Sequence, residues 1–391
     1  MTFLGAAAAS SSSGAAWHQV TAAQRTVPDG GASISARRGH AMVEFLGDIW
    51  VLGGYSTPAD NATAPWRPSS RRLLATSSEY MLADVWRLRF VSGHACGGGA
   101  QASDAGVCVQ ERRVQPQAAW PGRHSHAAAV MGGRMWLMGG VTATELTAHD
   151  VWSSYDGVEW GLVTAAAPWS PRFSMALDVV ANPGAASDPG ILVLAGGGAY
   201  VGGSGGGDVV YNDVWTSADG KQWQRATANA SWAPRARHGL AALRNSAGKV
   251  TLVLAGGERA GHDTTSDVWS SSDNGATWQS LTPEGAPWRD RAGHAMLRLQ
   301  GQLLVAAGRS KTPGNVDLAE PVLRDVWRSA DGYTWELVAE AIADAATQTA
   351  FAGREDMGAA LHAASGRLVV FGGQGMHGRL DDLWLSPLPG S

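Results

Sequence analysis

The stretch Trp232-Ala-Pro-Arg235-Ala-Arg-His238, continued by Leu252-Val-Leu-Ala-Gly256-Gly257 and by Asp267-Val-Trp269-Ser-Ser-Ser-Asp273-Asn-Gly275-Ala-Thr-Trp278, holds one copy of a unit that recurs six times. Its first signature is an apolar residue, Arg three later, then His or Met three after that. It reads Ile34, Arg37, His40; Trp120, Arg123, His126; Trp169, Arg172, Met175; Trp232, Arg235, His238; Trp288, Arg291, His294; and Phe351, Arg354, Met357. The second is a glycine pair closing a short apolar run, at Gly53-Gly54, Gly139-Gly140, Gly196-Gly197, Gly256-Gly257 and Gly372-Gly373, with Ala307-Gly308 in the fifth copy. The third is Asp-Val-Trp or Asp-Leu-Trp, starting at Asp84, Asp150, Asp213, Asp267, Asp325 and Asp382. In four copies a second Trp follows a turn, at Trp160, Trp223, Trp278 and Trp335. Asp-Gly between two Trp-bearing runs marks a hairpin.

Working outward, each unit holds four short strands. Strand a follows the Arg, b ends at the glycine pair, c carries Asp-Val-Trp and d carries the second Trp. Fixed repeats of this kind build quasi-symmetric arrays. The expected fold is all-β: a six-bladed β-propeller of four-stranded antiparallel blades. The last unit stops after strand c, at Leu383-Trp384-Leu385-Ser386, while Trp17-His18-Gln19-Val20-Thr21 resembles a strand d. Residues 17–21 are therefore expected to complete the last blade and abolish the open edge. Residues 1–16 are read as a disordered tail or the remnant of a targeting segment, and 17–391 as one propeller. Only Val338 to Ala350 reads as a short helix.

Composition agrees. Of 391 residues, 45% are hydrophobic and 16% charged, and 18 Trp argue against disorder. The balance of 30 basic and 34 acidic residues excludes a nucleic-acid binder driven by bulk positive charge. No apolar run reaches the length of a membrane helix.

These features resemble the kelch family of β-propellers, from Trp17 to Leu385. The family's hallmarks are the glycine pair ending strand b and spaced aromatics on the outer strands. The turn Ser271-Ser-Asp273-Asn-Gly275-Ala-Thr277-Trp278 also looks like the Asp-box of sialidase-type propellers.

The Arg ring (Arg37, Arg123, Arg172, Arg235, Arg291, Arg354) precedes the innermost strands and is expected near the mouth of the central channel. Two readings stand: guanidinium groups held by carboxylates or carbonyls of adjacent blades, or a cationic rim for anionic ligands. The Asp of each Asp-Val-Trp is expected to accept backbone hydrogen bonds within its blade. The b–c loops break the symmetry on the same face. Tyr55 to Ala83 carries Trp66, Arg67, Arg71 and Arg72; Gly198 to Gly207 is glycine-rich; a third loop runs from Arg309 to Arg324. Such loops are where recognition lives. The glycine run lacks the Gly-Lys-Ser/Thr ending of a phosphate loop.

Cys96 and Cys108 are the only cysteines and are expected to form a disulfide across the first c–d connection. Asn61-Ala-Thr63 and Asn229-Ala-Ser231 are glycosylation sequons. Both features lean towards the secretory pathway or an extracellular site.

The functional expectation is a non-catalytic, monomeric interaction module. It would bind an unknown protein or glycan, anionic in character, on the Arg-and-loop face, with no cofactor, metal, nucleic acid or membrane span. The alternative is a carbohydrate-active enzyme, since the resemblance extends to propellers of that class. Galactose oxidase chemistry needs a Tyr–Cys copper site, and both Cys lie on the other face. No Tyr–Glu pair can be assigned for sialidase chemistry. The sialic-acid mutarotase or epimerase type needs only Arg and a general acid or base. His40, His126, His238 and His294 are candidates, but Met fills their repeat position twice, which favours packing.

Overall fold

The computed structural model describes residues 17–28, 30–56, 81–92, 107–142, 144–181, 189–200, 208–245, 248–311, 322–339 and 352–386. Six four-stranded antiparallel blades form a β-propeller. Blade 1 comprises Ala41–Phe45, Asp48–Tyr55, Met81–Ser92 and Val107–Gln115. Blade 2 comprises Ala127–Met131, Arg134–Met138, Val151–Ser154 and Gly161–Thr164. Blade 3 comprises Ala176–Val180, Ile191–Ala195, Val214–Ser217 and Gln224–Thr227. Blade 4 comprises Gly239–Arg244, Val250–Ala255, Val268–Ser271 and Gln279–Ser280. Blade 5 comprises Ala295–Leu299, Gln302–Arg309, Val322–Ser329 and Glu336–Ala339.

Blade 6 is closed by the two ends of the chain. Gly358–His362, Arg367–Phe371 and Leu383–Leu385 supply strands a to c, and His18–Val20 supplies strand d. The pairing is antiparallel, His18 with Leu385 and Val20 with Leu383. The chain then lays Arg25–Thr26 parallel to Val109–Gln110 at the outer edge of blade 1, a strand the repeat pattern does not contain. Arg25 there pairs with the buried Glu111, which also accepts the Ile34 amide at 3.0 Å. The helix expected from Val338 is not there at its start: Val338 ends strand d of blade 5, and residues 340–350 lie outside the described residues. Among the described residues, no helix is long and apolar enough to cross a membrane.

Among the described residues the core is divided into six apolar clusters, one at each junction between blades. Strand b shows why its sequence is continuously apolar. Ile49 and Val51 face blade 6, whereas Trp50 and Leu52 face blade 2, so both sides of one strand are buried. The glycine pairs are forced by close approach. A Cβ on Gly140 would lie 2.7 Å from the His124 carbonyl and 2.8 Å from the His126 Cβ. The second glycine of the pair donates its amide to the ring Arg carbonyl of the next blade, as in Gly140 to Arg172 (2.9 Å) and, closing the ring, Gly373 to Arg37 (2.9 Å).

The c–d turns of blades 2, 3 and 5 are built alike, and that of blade 4 is one residue longer, with Asp273 accepting the amide and hydroxyl of Thr277. In blade 2, Ser154 Oγ accepts the Gly157 amide, Asp156 Oδ1 accepts the amides of Val158 and Glu159, and Trp160 Nε1 donates to the Gly157 carbonyl. Trp160 then meets Trp120 edge-on, 6.0 Å between ring centres.

Candidate functional site

The six ring arginines have no exposed surface. Each guanidinium runs outward from the link before strand a and ends on strand c of its own blade. Arg123 is typical: Nε donates to the Pro121 carbonyl, Nη1 to the Gly139 carbonyl and to Asp150 Oδ1 at 2.7 Å, and Nη2 to Asp150 Oδ2 at 2.7 Å. The same bidentate pairing joins Arg37 to Asp84, Arg172 to Asp213, Arg235 to Asp267, Arg291 to Asp325 and Arg354 to Asp382. These side chains are not a solvent-facing rim, because donors committed to a carboxylate and a carbonyl inside the blade cannot also grip a ligand. Two details differ from the sequence expectation. The carboxylate belongs to the same blade, not an adjacent one. The Asp takes the guanidinium and the indole Nε1 of the Trp two residues on (Trp152 to Asp150, 2.7 Å) rather than backbone amides alone. Burial alone would raise these carboxyls; the Arg contacts outweigh it and hold Asp150, Asp267, Asp325 and Asp382 below the ordinary carboxylate range.

His40, His126, His238 and His294 are wedged between blades. His40 Cε1 sits 3.2 Å, and His294 Cε1 2.9 Å, from where a Cβ would stand on Gly372 and Gly256. Burial, followed by the charge of the adjacent ring Arg, lowers His40, His238 and His294 to about 3 and His126 well below its ordinary value. They are neutral packing groups.

The residue two after each ring Arg does something the sequence did not reveal. Gly39, Ser125, Ser174, Arg237, Gly293 and Asp356 all adopt φ between 49° and 63°. The amide of each donates to the carbonyl of the preceding one: Ser125 to Gly39 (2.6 Å), Ser174 to Ser125 (2.7 Å), Arg237 to Ser174 (2.9 Å), Gly293 to Arg237 (2.9 Å), Asp356 to Gly293 (2.9 Å) and Gly39 to Asp356 (2.8 Å). This closed belt encircles the axis. Beneath it the channel is lined by Ala41, Ala127, Met175, Met296 and Met357, with a cavity of about 200 Å³.

Above the belt the six-fold symmetry ends. Over blades 4 to 6, Arg237 pairs with Glu355 and with Asp356 Oδ2 (2.7 Å), and Arg309 pairs with Glu258 (2.7 Å) and Glu355 (2.9 Å). Burial pulls against the Arg237 charge, but Asp356, Glu355 and Glu258 raise it above the ordinary arginine value. Glu258, despite burial, is drawn down to about 2 by His262, Arg237 and Arg309. Glu355 is raised, by burial first and by Asp356.

Over blades 6 to 3 the mouth is aromatic and cationic. The guanidinium carbons of Arg38 and Arg379 lie 5.7 and 4.7 Å from the centre of the Tyr55 ring. Tyr55 meets His124 edge-on at 5.6 Å, and Phe173 stacks on the part-exposed Tyr200 at 4.6 Å. Short strand pairs at the mouth hold these residues: His124 opposite Val141, Gly198–Tyr200 against Asp208–Val210, and Gln374–Gly375 against Gly378–Arg379.

Trp66, Arg67, Arg71 and Arg72 of the first b–c loop, residues 201–207 of the third, and residues 312–321 of the fifth lie outside the described residues, as do Asn61 and Cys96. Cys108 is buried and disulfide-bonded. Asn229 is exposed in the link from blade 3 to blade 4. Among the described residues, no group of three His, Cys, Asp or Glu is placed to hold a metal.

No family model matches the chain, and no curated protein matches it in sequence. Among solved structures, one described as "Structure of YjhT" aligns with a TM-score of 0.59 at 14% identity. The alignment covers 93% of this chain and 98% of that one, and at such identity the likeness is one of fold.

Proposed function

We propose that this chain is a kelch-type propeller acting as an interaction module that binds a glycan or protein ligand at the axial mouth of its b–c loop face. The observation that carries the reading is where symmetry breaks. The ring Arg, its Asp and the strand c Trp repeat in every blade, while the residues one and two positions after the ring Arg differ from blade to blade and gather at one mouth. Function on a shared fold lives in such grafted differences. A stacked aromatic pair beside fixed charges favours a glycan over a flat protein surface. The disulfide at Cys108 accords with an oxidising compartment.

A second reading, a carbohydrate-active enzyme of the sialic-acid mutarotase or epimerase type, draws support from Glu355. A carboxyl raised by burial beside two arginines is the kind of group that serves as general acid or base. Two measurements test these readings. Binding of the purified chain to a glycan and acidic-peptide array, lost in Tyr200→Ala, supports the module; unchanged binding removes the mouth as its site. Anomer exchange of N-acetylneuraminate, abolished in Glu355→Gln, would instead favour the enzyme.

A further inference from the structure

The cavity beneath the belt has a lining of one chemical kind. Among the described residues around its volume of about 200 Å³ stand His40 and the methionines Met42, Met175, Met296 and Met357; the rest are Ala, Leu and Gly. His40 supplies the side-chain nitrogen of that lining, the methionines supply thioether sulfur, and none of these residues carries a side-chain oxygen. Both ring nitrogens of His40 are buried and neither makes a hydrogen bond, although the Phe371 carbonyl acts on the ring. His126, His238 and His294 share that lack of hydrogen bonds, but they do not line the cavity.

Residues two apart along a strand share a face. In His40-Ala-Met42 the imidazole and the thioether both reach over Gly358 of blade 6: His40 Nε2 and Met42 Sδ lie 2.3 and 2.4 Å from the point where a Cβ on Gly358 would stand. The glycine thus leaves the space in which the two donors meet. Blade 5 repeats the triplet as His294-Ala-Met296, whereas His126 and His238 are followed at that distance by Ala128 and Leu240. Blade 6 stands between blades 5 and 1 in ring order and has Ala359 at the position of Met42 and Met296, so the residue between the two methionines is small.

We infer that this cavity is a binding site for one soft monovalent metal ion, Cu(I), held by His40 Nε2 and the thioethers of Met42 and Met296. Thioethers with a neutral imidazole select Cu(I), whereas Mg²⁺, Ca²⁺ and Zn²⁺ need oxygens, thiolates or several imidazoles. A lining without an anion favours a single charge. So does Arg37, whose charge acts on His40 although Asp84 holds the guanidinium. Burial and Arg37 also keep His40 unprotonated, which is the form that binds metal. A second cavity, of about 400 Å³, shares Met42 and Met296 and continues along strands a past Glu44, Asp178 and Arg298, which gives an ion a route from the end opposite the belt. The site lies below the belt and does not rest on the reading of the mouth.

The probes are silver(I) nitrate and the acetonitrile complex of Cu(I), with Zn²⁺ as the contrast, titrated anaerobically into the intact chain. They need no reductant that would attack the disulfide at Cys108. Native mass spectrometry and competition with a Cu(I) indicator read stoichiometry and affinity. The expected result is one Ag(I) or Cu(I) per chain, bound at least a hundredfold more tightly than Zn²⁺, with a raised melting temperature. Binding should weaken at least tenfold in Met42→Leu and in Met296→Leu, swaps that cores tolerate well, and stay unchanged in Met376→Leu, which alters an exposed methionine. Failure of the unaltered chain to bind, or equal binding by a folded Met42→Leu/Met296→Leu double variant, overturns the site. If the double variant does not fold, X-ray absorption of the Cu(I)-loaded parent decides: sulfur and nitrogen neighbours support the site, and a shell of nitrogen and oxygen alone overturns it.

Discussion

Arg237 reaches across blade 5 to Asp356, Nη2 to Oδ2 at 2.7 Å, and passes over Gly293. A Cβ on Gly293 would stand 3.1 Å from that Nη2 and 2.9 Å from Asp356 Oδ1, in a backbone with φ +63°. One glycine thus lets two blades that are not neighbours share an ion pair above the belt. Gly293→Ala is expected to destabilise the fold by about 1–3 kcal/mol, from the left-handed backbone and the displaced pair together. Urea titration of Gly293→Ala, Arg237→Ser and the double variant checks this. The two effects should be less than additive, because Ser at 237 (the residue type at 125 and 174) removes the clash.

The ring arginines are expected to behave as architecture. Arg235→Ala leaves Asp267 without its main partner and should cost about 3 kcal/mol, at the low end for breaking a buried pair because the Asp is part-exposed. Asp267→Asn should cost less, since an amide still accepts from Arg235 and Trp269. Urea midpoints would show this, and an Arg235→Ala variant as stable as the parent would contradict the assignment.

Acid should weaken the fold well before its carboxylates titrate. His40, His124, His126, His238 and His294 stay neutral in the folded state far below 6.5, whereas the unfolded chain protonates them near that pH. A folded-state pKa that is depressed gives stability that is complete above 6.5 and is lost as pH falls towards 3 or 4. Each such His contributes a slope of about 1.4 kcal/mol per pH unit in that window. Asp150, Asp267, Asp325 and Asp382 add a further loss below about 4 with the same sign. His238→Met, which copies Met175 and Met357, should flatten the profile between pH 6 and 4 and leave stability at pH 7.5 little changed. A profile identical to the parent's would refute the account of these histidines.

Removal of residues 1–21 should open blade 6. Val20, Leu383 and Leu385 share one buried cluster, and strand c of that blade would become an unpaired edge. A lower melting temperature and concentration-dependent association in size-exclusion chromatography are expected. A truncated chain that is monomeric and equally stable would contradict closure by the N-terminal strand.

The frame was readable in sequence because its parts repeat in register. Arg235, Gly256, Asp267 and Trp269 each answer a constraint that every blade shares, so six copies of the same residues mark them. That the Asp serves the Arg was not evident, because the two stand 27 to 47 residues apart and meet only once strands a to c are side by side. The mouth was harder still. Arg38, Arg379, Phe173 and Tyr200 come from three blades, and no spacing links them. One signal was available: between the fixed Arg and the fixed His or Met, the intervening pair changes from Arg-Gly to His-Ser, Phe-Ser, Ala-Arg, Ala-Gly and Glu-Asp. The invariant Arg is the louder signal, and the bidentate pair it makes with Asp in every blade accounts for its regularity.

Ligand is expected to meet this protein at the axial mouth and not at its ring arginines or c–d turns. Amide chemical-shift mapping with the strongest binder from the glycan array tests it most directly. Shifts confined to residues 38–39, 124–125, 173–174, 198–200, 237, 293 and 355–356 are expected. Shifts centred on the turns at 156–159 or 219–222, or on the outer strands, would contradict it.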